Sequence, residues 1–147
     1  MPPGDDQIRK LSESVGPLVC EVELPSSWND FFDRRGMMPT ALNEKRRFPR
    51  SYLRVSAALQ YRQSFPALHR GETWHKVYAK DVCRTGVGFL HSQQLFPMEQ
   101  LALVLPDGRC RRIEVVRCRR IQPRCFEIGA VFITDFRVVD IVDEAPD

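Results

Sequence analysis

Two short stretches hold the residue types that could do chemistry together. The first, KRRFPR, places Arg46 and Arg50 in an RxxxR spacing, with Arg47 between them and Pro49 stiffening the segment. The second follows about thirty residues later and reads Asp81-Val82-Cys83-Arg84-Thr85-Gly86. Guanidinium groups on a strand-entry segment can hold phosphate bidentately and can also lie flat against a purine ring. A nearby carboxylate adds what phosphate binding would not want, an acceptor for the paired N–H donors on the Watson–Crick edge of guanine. Glycine at 86 lets the backbone turn tightly or approach a ligand closely. Arginines with one aspartate therefore fit a guanine nucleotide better than a plain anion.

Other chemistries are not supported. TGVGF has two glycines, but no third glycine follows, no Lys-Ser/Thr pair is present and no βαβ pattern surrounds it, so a dinucleotide or P-loop fingerprint is rejected. His69, His75 and His91 match no helical or ribbon-type metal spacing and read as surface or core histidines. No nucleophile elbow or cysteine-protease signature occurs, so no catalytic residue, metal or cofactor is assigned.

The elements that must position the two stretches read as β. SYLRVSAALQY puts Tyr52, Arg54 and Ser56 on one face and Leu53, Val55 and Ala57 on the other, the two-residue period of a half-buried strand. ETWHKVYAKDV continues with the β-favouring Trp74, Val77 and Tyr78. Asp107-Gly108 between two extended runs signals a hairpin, and Phe126, Ile128, Ala130 and Phe132 alternate in a closing strand. Short strands without helical spans between them predict an all-β, mainly antiparallel domain, a small barrel or sandwich. Upstream, PSSWNDFFDRRG carries helix-start and helix-stop signals and predicts a short helix over about 27–35. Trp28, Phe31 and Phe32 would form its aromatic face, which either caps an open end of the domain or binds a partner. TDFRVVDIVDE could form a terminal helix with Phe136, Val139 and Ile141 inward.

The 147 residues, 43% of them hydrophobic, suit one domain with tails. No run approaches the roughly 18 apolar residues of a membrane span, and the start lacks the parts of a secretory signal, so a cytoplasmic protein is expected. Five cysteines without a CxxC pair point to reduced, mostly buried thiols rather than a disulfide framework. Charge is unevenly spread: Lys45 to Arg70 holds seven basic residues and no acidic one, and Arg109 to Arg124 holds seven against Glu114 alone. Residues 1–44 carry eight acidic against four basic, and the end after Thr134 is acidic again. A basic middle between acidic ends suits an anionic partner. General RNA or DNA binding is less favoured, because few aromatics accompany the arginines as stacking platforms.

The two motifs, in this order and β context, resemble those of the PilZ domain family, bacterial receptors for the second messenger cyclic di-GMP, whose patterns are RxxxR and (D/N)xSxxG. NEKRRFPR is similar to the family's entry segment, DVCRTGVGFLHSQQLFPMEQLALVLPDG to its strand, turn and next strand, and EIGAVFITDF, with Gly129 and Phe132, to its closing strand. The resemblance covers about residues 43–136. It implies a six-stranded antiparallel barrel, with a 1–42 extension before it and an acidic 137–147 tail after it. It implies that Arg46 and Arg50 clamp phosphates and stack on guanine, with Arg47 as an additional contact. Asp81 would accept from a guanine edge, Cys83 would contact ligand or shape the turn, and Gly86 would allow close approach. Cys83 departs from the family pattern, which has serine there. The implied function is a cyclic di-GMP-binding regulatory module whose RxxxR segment is ordered by ligand and which signals to a protein partner. The alternative is a PilZ-like adaptor that binds no nucleotide and works through Trp28, Phe31 and Phe32.

Overall fold

A computed structural model of the protein describes residues 18–39, 49–71 and 73–136. Seven antiparallel strands follow in chain order: β1 (Ser51–Tyr52), β2 (Ser56–Gln63), β3 (His75–Val82), β4 (Gly86–His91), β5 (Gln100–Val104), β6 (Cys110–Gln122) and β7 (Cys125–Phe136). Six of them close a barrel through the hydrogen-bonded circuit β2–β3–β4–β7–β6–β5 and back to β2. The expected six-stranded barrel is thus present. β1 is a short addition that pairs with the end of β3, setting Ser51 opposite Val82 and Tyr52 opposite Asp81. No helix among the described residues is long and apolar enough to cross a membrane.

The alternation read from the sequence fills the barrel. Leu59, Phe89, Leu101, Leu103, Ile113 and Ile128 point inward and are wholly buried, each contributing about 1.5–3 kcal/mol of hydrophobic stabilisation. β5 and β6 join at the predicted Asp107-Gly108 turn, where Gly108 has φ +90° and the Asp107 carboxylate accepts from the Arg109 N–H at 3.0 Å. Beside this apolar core lies a buried polar group: Tyr61, His75 and His91 in ring contact, and Glu99, fully buried, paired with Arg70 at 2.8 Å. The Phe96 N–H and the Ser64 hydroxyl donate to the same Glu99 carboxylate.

Two expectations are corrected. The SYLRVSAALQY run is not one strand but two, broken at 53–55, where the Arg54 guanidinium lies over the Phe31 and Tyr52 rings at 4.3 and 4.9 Å and donates to the Lys80 carbonyl at 2.9 Å. The helix expected over 27–35 is a single 3₁₀ turn, Phe31–Asp33, with no side-chain cap. Tertiary packing overrides the helical signals there: Phe31 is buried among Trp28, Phe32 and Tyr78, with centroids 5.0–6.2 Å away. The anticipated terminal helix begins wrongly, since Thr134 to Phe136 belong to β7; residues 137–147 lie outside the described ones.

That packing gives the residues before β1 a defined place. Val22, Phe31, Leu90 and Cys125 form a second apolar cluster with Trp28, Tyr78 and Ile121. This arm, also tied by the Glu23 N–H to the Arg124 carbonyl at 3.0 Å, packs against Tyr78 of β3, Leu90 of β4, Ile121 of β6 and Cys125 of β7.

Candidate ligand-binding groove

On the same four strands lies a groove of about 900 Å³ whose lining includes Arg50, Asp81, Cys83, Gly86, Arg117 and Gly129. Its floor is set by strand register. Asp81 on β3 lies opposite Gly88 on β4, Gly88 opposite Gly129 on β7, and Gly129 opposite Arg117 on β6. A Cβ built on Gly88 would stand 2.8 Å from Asp81 Oδ1, and one built on Gly129 would stand 2.9 Å from Arg117 Nε. The carboxylate and the arginine side chain therefore each fold over a glycine and take the space that its missing side chain leaves.

Both flanking residues reach this face through β-bulges. Along β3, Val77 and Ala79 are buried inward, and strict alternation would send Asp81 in after them; the register shift between Ala79 and Asp81 turns it outward. Along β6, Ile113 and Val115 point into the core, and the shift between Val115 and Arg117 puts Arg117 and Arg119 outside and Cys118 inside. Asp81 remains only 6% exposed, paired along the sheet with Tyr52 of β1.

The charges of the groove fall into two sets. Lys80 Nζ bridges Asp81 Oδ2 at 3.1 Å and Glu127 Oε2 at 3.4 Å, and Arg119 pairs with Glu127 at 2.9 Å. Arg50 and Arg117, by contrast, have no carboxylate partner among the described residues. Asp81 Oδ1 lies over Gly88, and Asp81 shares the groove's lining with both arginines.

The β3–β4 turn supplies the remaining wall. The Cys83 N–H donates to the Gly86 carbonyl at 2.9 Å, and Cys83 Sγ meets Thr85 Oγ1 at 3.5 Å. Partial burial pushes the Cys83 thiol up, but hydrogen bonds from Thr85 and Gly86 and the positive charge of Arg50 outweigh it and hold the thiol below its ordinary range. Gly86 has a purely architectural reason to be glycine: a Cβ there would collide with the Ala130 carbonyl oxygen of β7. Gly86→Ala is accordingly expected to destabilise the barrel by about 1–3 kcal/mol, read as a lower urea midpoint with an unchanged slope; a wild-type midpoint would contradict this packing.

The structure brings Arg50, Asp81, Cys83 and Gly86 together, as the two motifs suggested. Arg46 and Arg47 lie outside the described residues. Trp28, Phe31 and Phe32 do not join the groove; Phe31 is buried against the barrel, and Phe32 packs edge-on to Tyr78 at 5.0 Å. Among known proteins, no family model and no curated protein matches the chain. Lys80, Gly88 and Arg117 were missed as site residues. Gly88 sat in plain view in TGVGF, but its partnership with Asp81 depends on a bulge, and Arg117 is one of seven arginines in its stretch until β6–β7 register singles it out. Among the described residues, no cluster of three His, Cys, Asp or Glu side chains could hold a metal ion.

Proposed function

We propose that the protein is a cyclic di-GMP-binding regulatory module of PilZ type, acting on a protein partner rather than catalysing a reaction. The observation that carries this reading is the meeting of Arg50 with Asp81 and Cys83, about thirty residues further along the chain, in one groove. A guanidinium without an acidic partner can hold a phosphate or lie on a base, and Asp81 Oδ1 can accept from the guanine edge. Arg46 and Arg47 precede Arg50 by four and three positions, and four residues of chain span at most about 14 Å, which keeps both within reach of the same ligand.

Isothermal titration with cyclic di-GMP tests the proposal: saturable heat with folded protein supports it, and its absence favours the adaptor reading. Cys83 provides a sharper check within the same measurement. A thiol is a weaker hydrogen-bond partner than a hydroxyl, so Cys83→Ser is expected to leave affinity unchanged or tighten it by up to about tenfold. Weaker binding by Cys83→Ser would show that the thiol itself contributes to the site.

A further inference from the structure

We propose that the outer surface presented by Met98, Val116, Val131 and Ile133 is where the protein partner docks, and that it receives an acidic segment carrying apolar side chains. This rests on the protein partner of the reading above and not on its nucleotide. The four side chains are 37–69% exposed, on three segments that neighbour one another in the sheet. Val131 and Ile133 belong to β7, whose Ala130 and Phe132 pack into the core. Val116 is on the adjoining β6 and lines the groove together with Val131. Just ahead of β5, the Met98 N–H donates to the Val115 carbonyl of β6 at 2.9 Å.

Three of the four are presented by departures from regular strand. Val115 is opposite Ala130 and Arg117 opposite Gly129, which leaves Val116 as the extra residue of a bulge; Arg112 opposite Thr134 and Ile113 opposite Phe132 leave Ile133 as the extra residue on β7. Met98 has φ +80°, a left-handed conformation that residues with a Cβ rarely adopt. It is held there by Glu99, whose buried carboxylate accepts from the Phe96 N–H and from Arg70, each at 2.8 Å. Folding alone favours glycine or asparagine on such a backbone, and a polar side chain at such exposure. A bulky apolar one fixed in that place serves contact with another molecule. Charge indicates which molecule. The outer face of β6 carries Arg112 and Arg117 against Glu114, which already accepts from the Gln100 amide at 3.2 Å. The whole run from Arg109 to Arg124 holds seven basic residues and that one acid. Carboxylates flanking an apolar segment complement a basic rim around an apolar centre.

The test places a photo-reactive benzoylphenylalanine at position 98, 133 or 120 of the full chain in cells that make the protein, and sequences the cross-linked peptides. Arg120 is an exposed residue of β6 outside the groove and serves as the control. One protein is expected to cross-link from 98 and 133 but not from 120, through an acidic segment with apolar side chains. With that protein purified, Met98→Asp and Ile133→Asp should each weaken binding at least about tenfold, Arg120→Ala should not, and added salt should weaken the wild-type complex. Circular dichroism confirms the fold of each variant. Cross-links to lipid, to a second copy, to residues 137–147 of the same chain or to a segment without acids would overturn the inference, as would none specific to 98 and 133. Neither Met98 nor Ile133 lines the groove, so both variants should bind cyclic di-GMP within twofold of wild type. Nucleotide heat without the cross-link overturns this inference alone; the cross-link and its Asp variants behaving as expected without nucleotide heat would uphold it and remove cyclic di-GMP from the proposed function.

Discussion

Asp81→Ala and Arg50→Ala are each expected to weaken cyclic di-GMP binding by about tenfold to a hundredfold, with little change in stability. The magnitude follows from removing a charged partner from a hydrogen bond, about 1.5–3 kcal/mol. The small effect on stability follows from the surroundings of each group. Lys80, which pairs with Asp81 at 3.1 Å, keeps Glu127 at 3.4 Å when Asp81 is removed, so no cation is stranded. The Arg50 guanidinium has no carboxylate partner among the described residues to strand. Its backbone carbonyl, which accepts from the Met38 N–H at 2.8 Å, is unaffected by truncation of the side chain. Titration calorimetry beside urea unfolding separates the two effects. Loss of binding that tracks loss of fold would make both residues structural, and unaltered binding by either variant would remove it from the site.

The second large effect concerns the barrel itself. Its stability is expected to fall as pH drops below about 6.5, because His91 is buried neutral. Desolvation is the main cause, and the neighbouring His75 and Arg70 add to it, lowering His91 to about 3. Tyr61 donates to Gln93 Oε1 at 2.7 Å and so accepts from His91 Nε2–H at 2.9 Å, which fixes the neutral tautomer. His75 is lowered as well, chiefly by burial. In the unfolded chain both imidazoles take up a proton near 6.5, while in the folded protein His91 does not until about pH 3. The unfolded state therefore binds more protons through that window, and stability is present above it and lost as pH falls. At about 1.4 kcal/mol per pH unit, lowering pH from 7 to 5 costs on the order of 2 kcal/mol from His91. Urea unfolding at the two pH values reads this directly, and His91→Gln should flatten the dependence. Equal stability at pH 7 and pH 5 would mean that the unfolded chain gains no proton over the folded one.

The residues that made the barrel legible were local. Leu101 and Leu103, Phe126 and Ile128, and Asp107-Gly108 announce their strand or turn within a few positions, because alternation and turn chemistry are short-range properties. The two motifs were equally readable, since each is a run of neighbours in the chain. What stayed hidden depends on partners distant in sequence. Period two holds only between bulges, so the outward turn of Asp81 and of Arg117 could not be read from β3 or β6 alone. Gly86 drew a ligand-based reason in the sequence, while the carbonyl that demands it, Ala130, is on β7. Trp28, Phe31 and Phe32 have helical spacing, yet the stack on Tyr78 and Arg54 decides their conformation.

The groove's chemistry converges on one measurement, titration of the wild-type chain with cyclic di-GMP alongside the single-phosphate nucleotide GMP. The account predicts saturable heat with the cyclic dinucleotide, much weaker binding of GMP, and loss of the dinucleotide signal on Arg50→Ala. No heat from folded protein at high cyclic di-GMP concentration would contradict it.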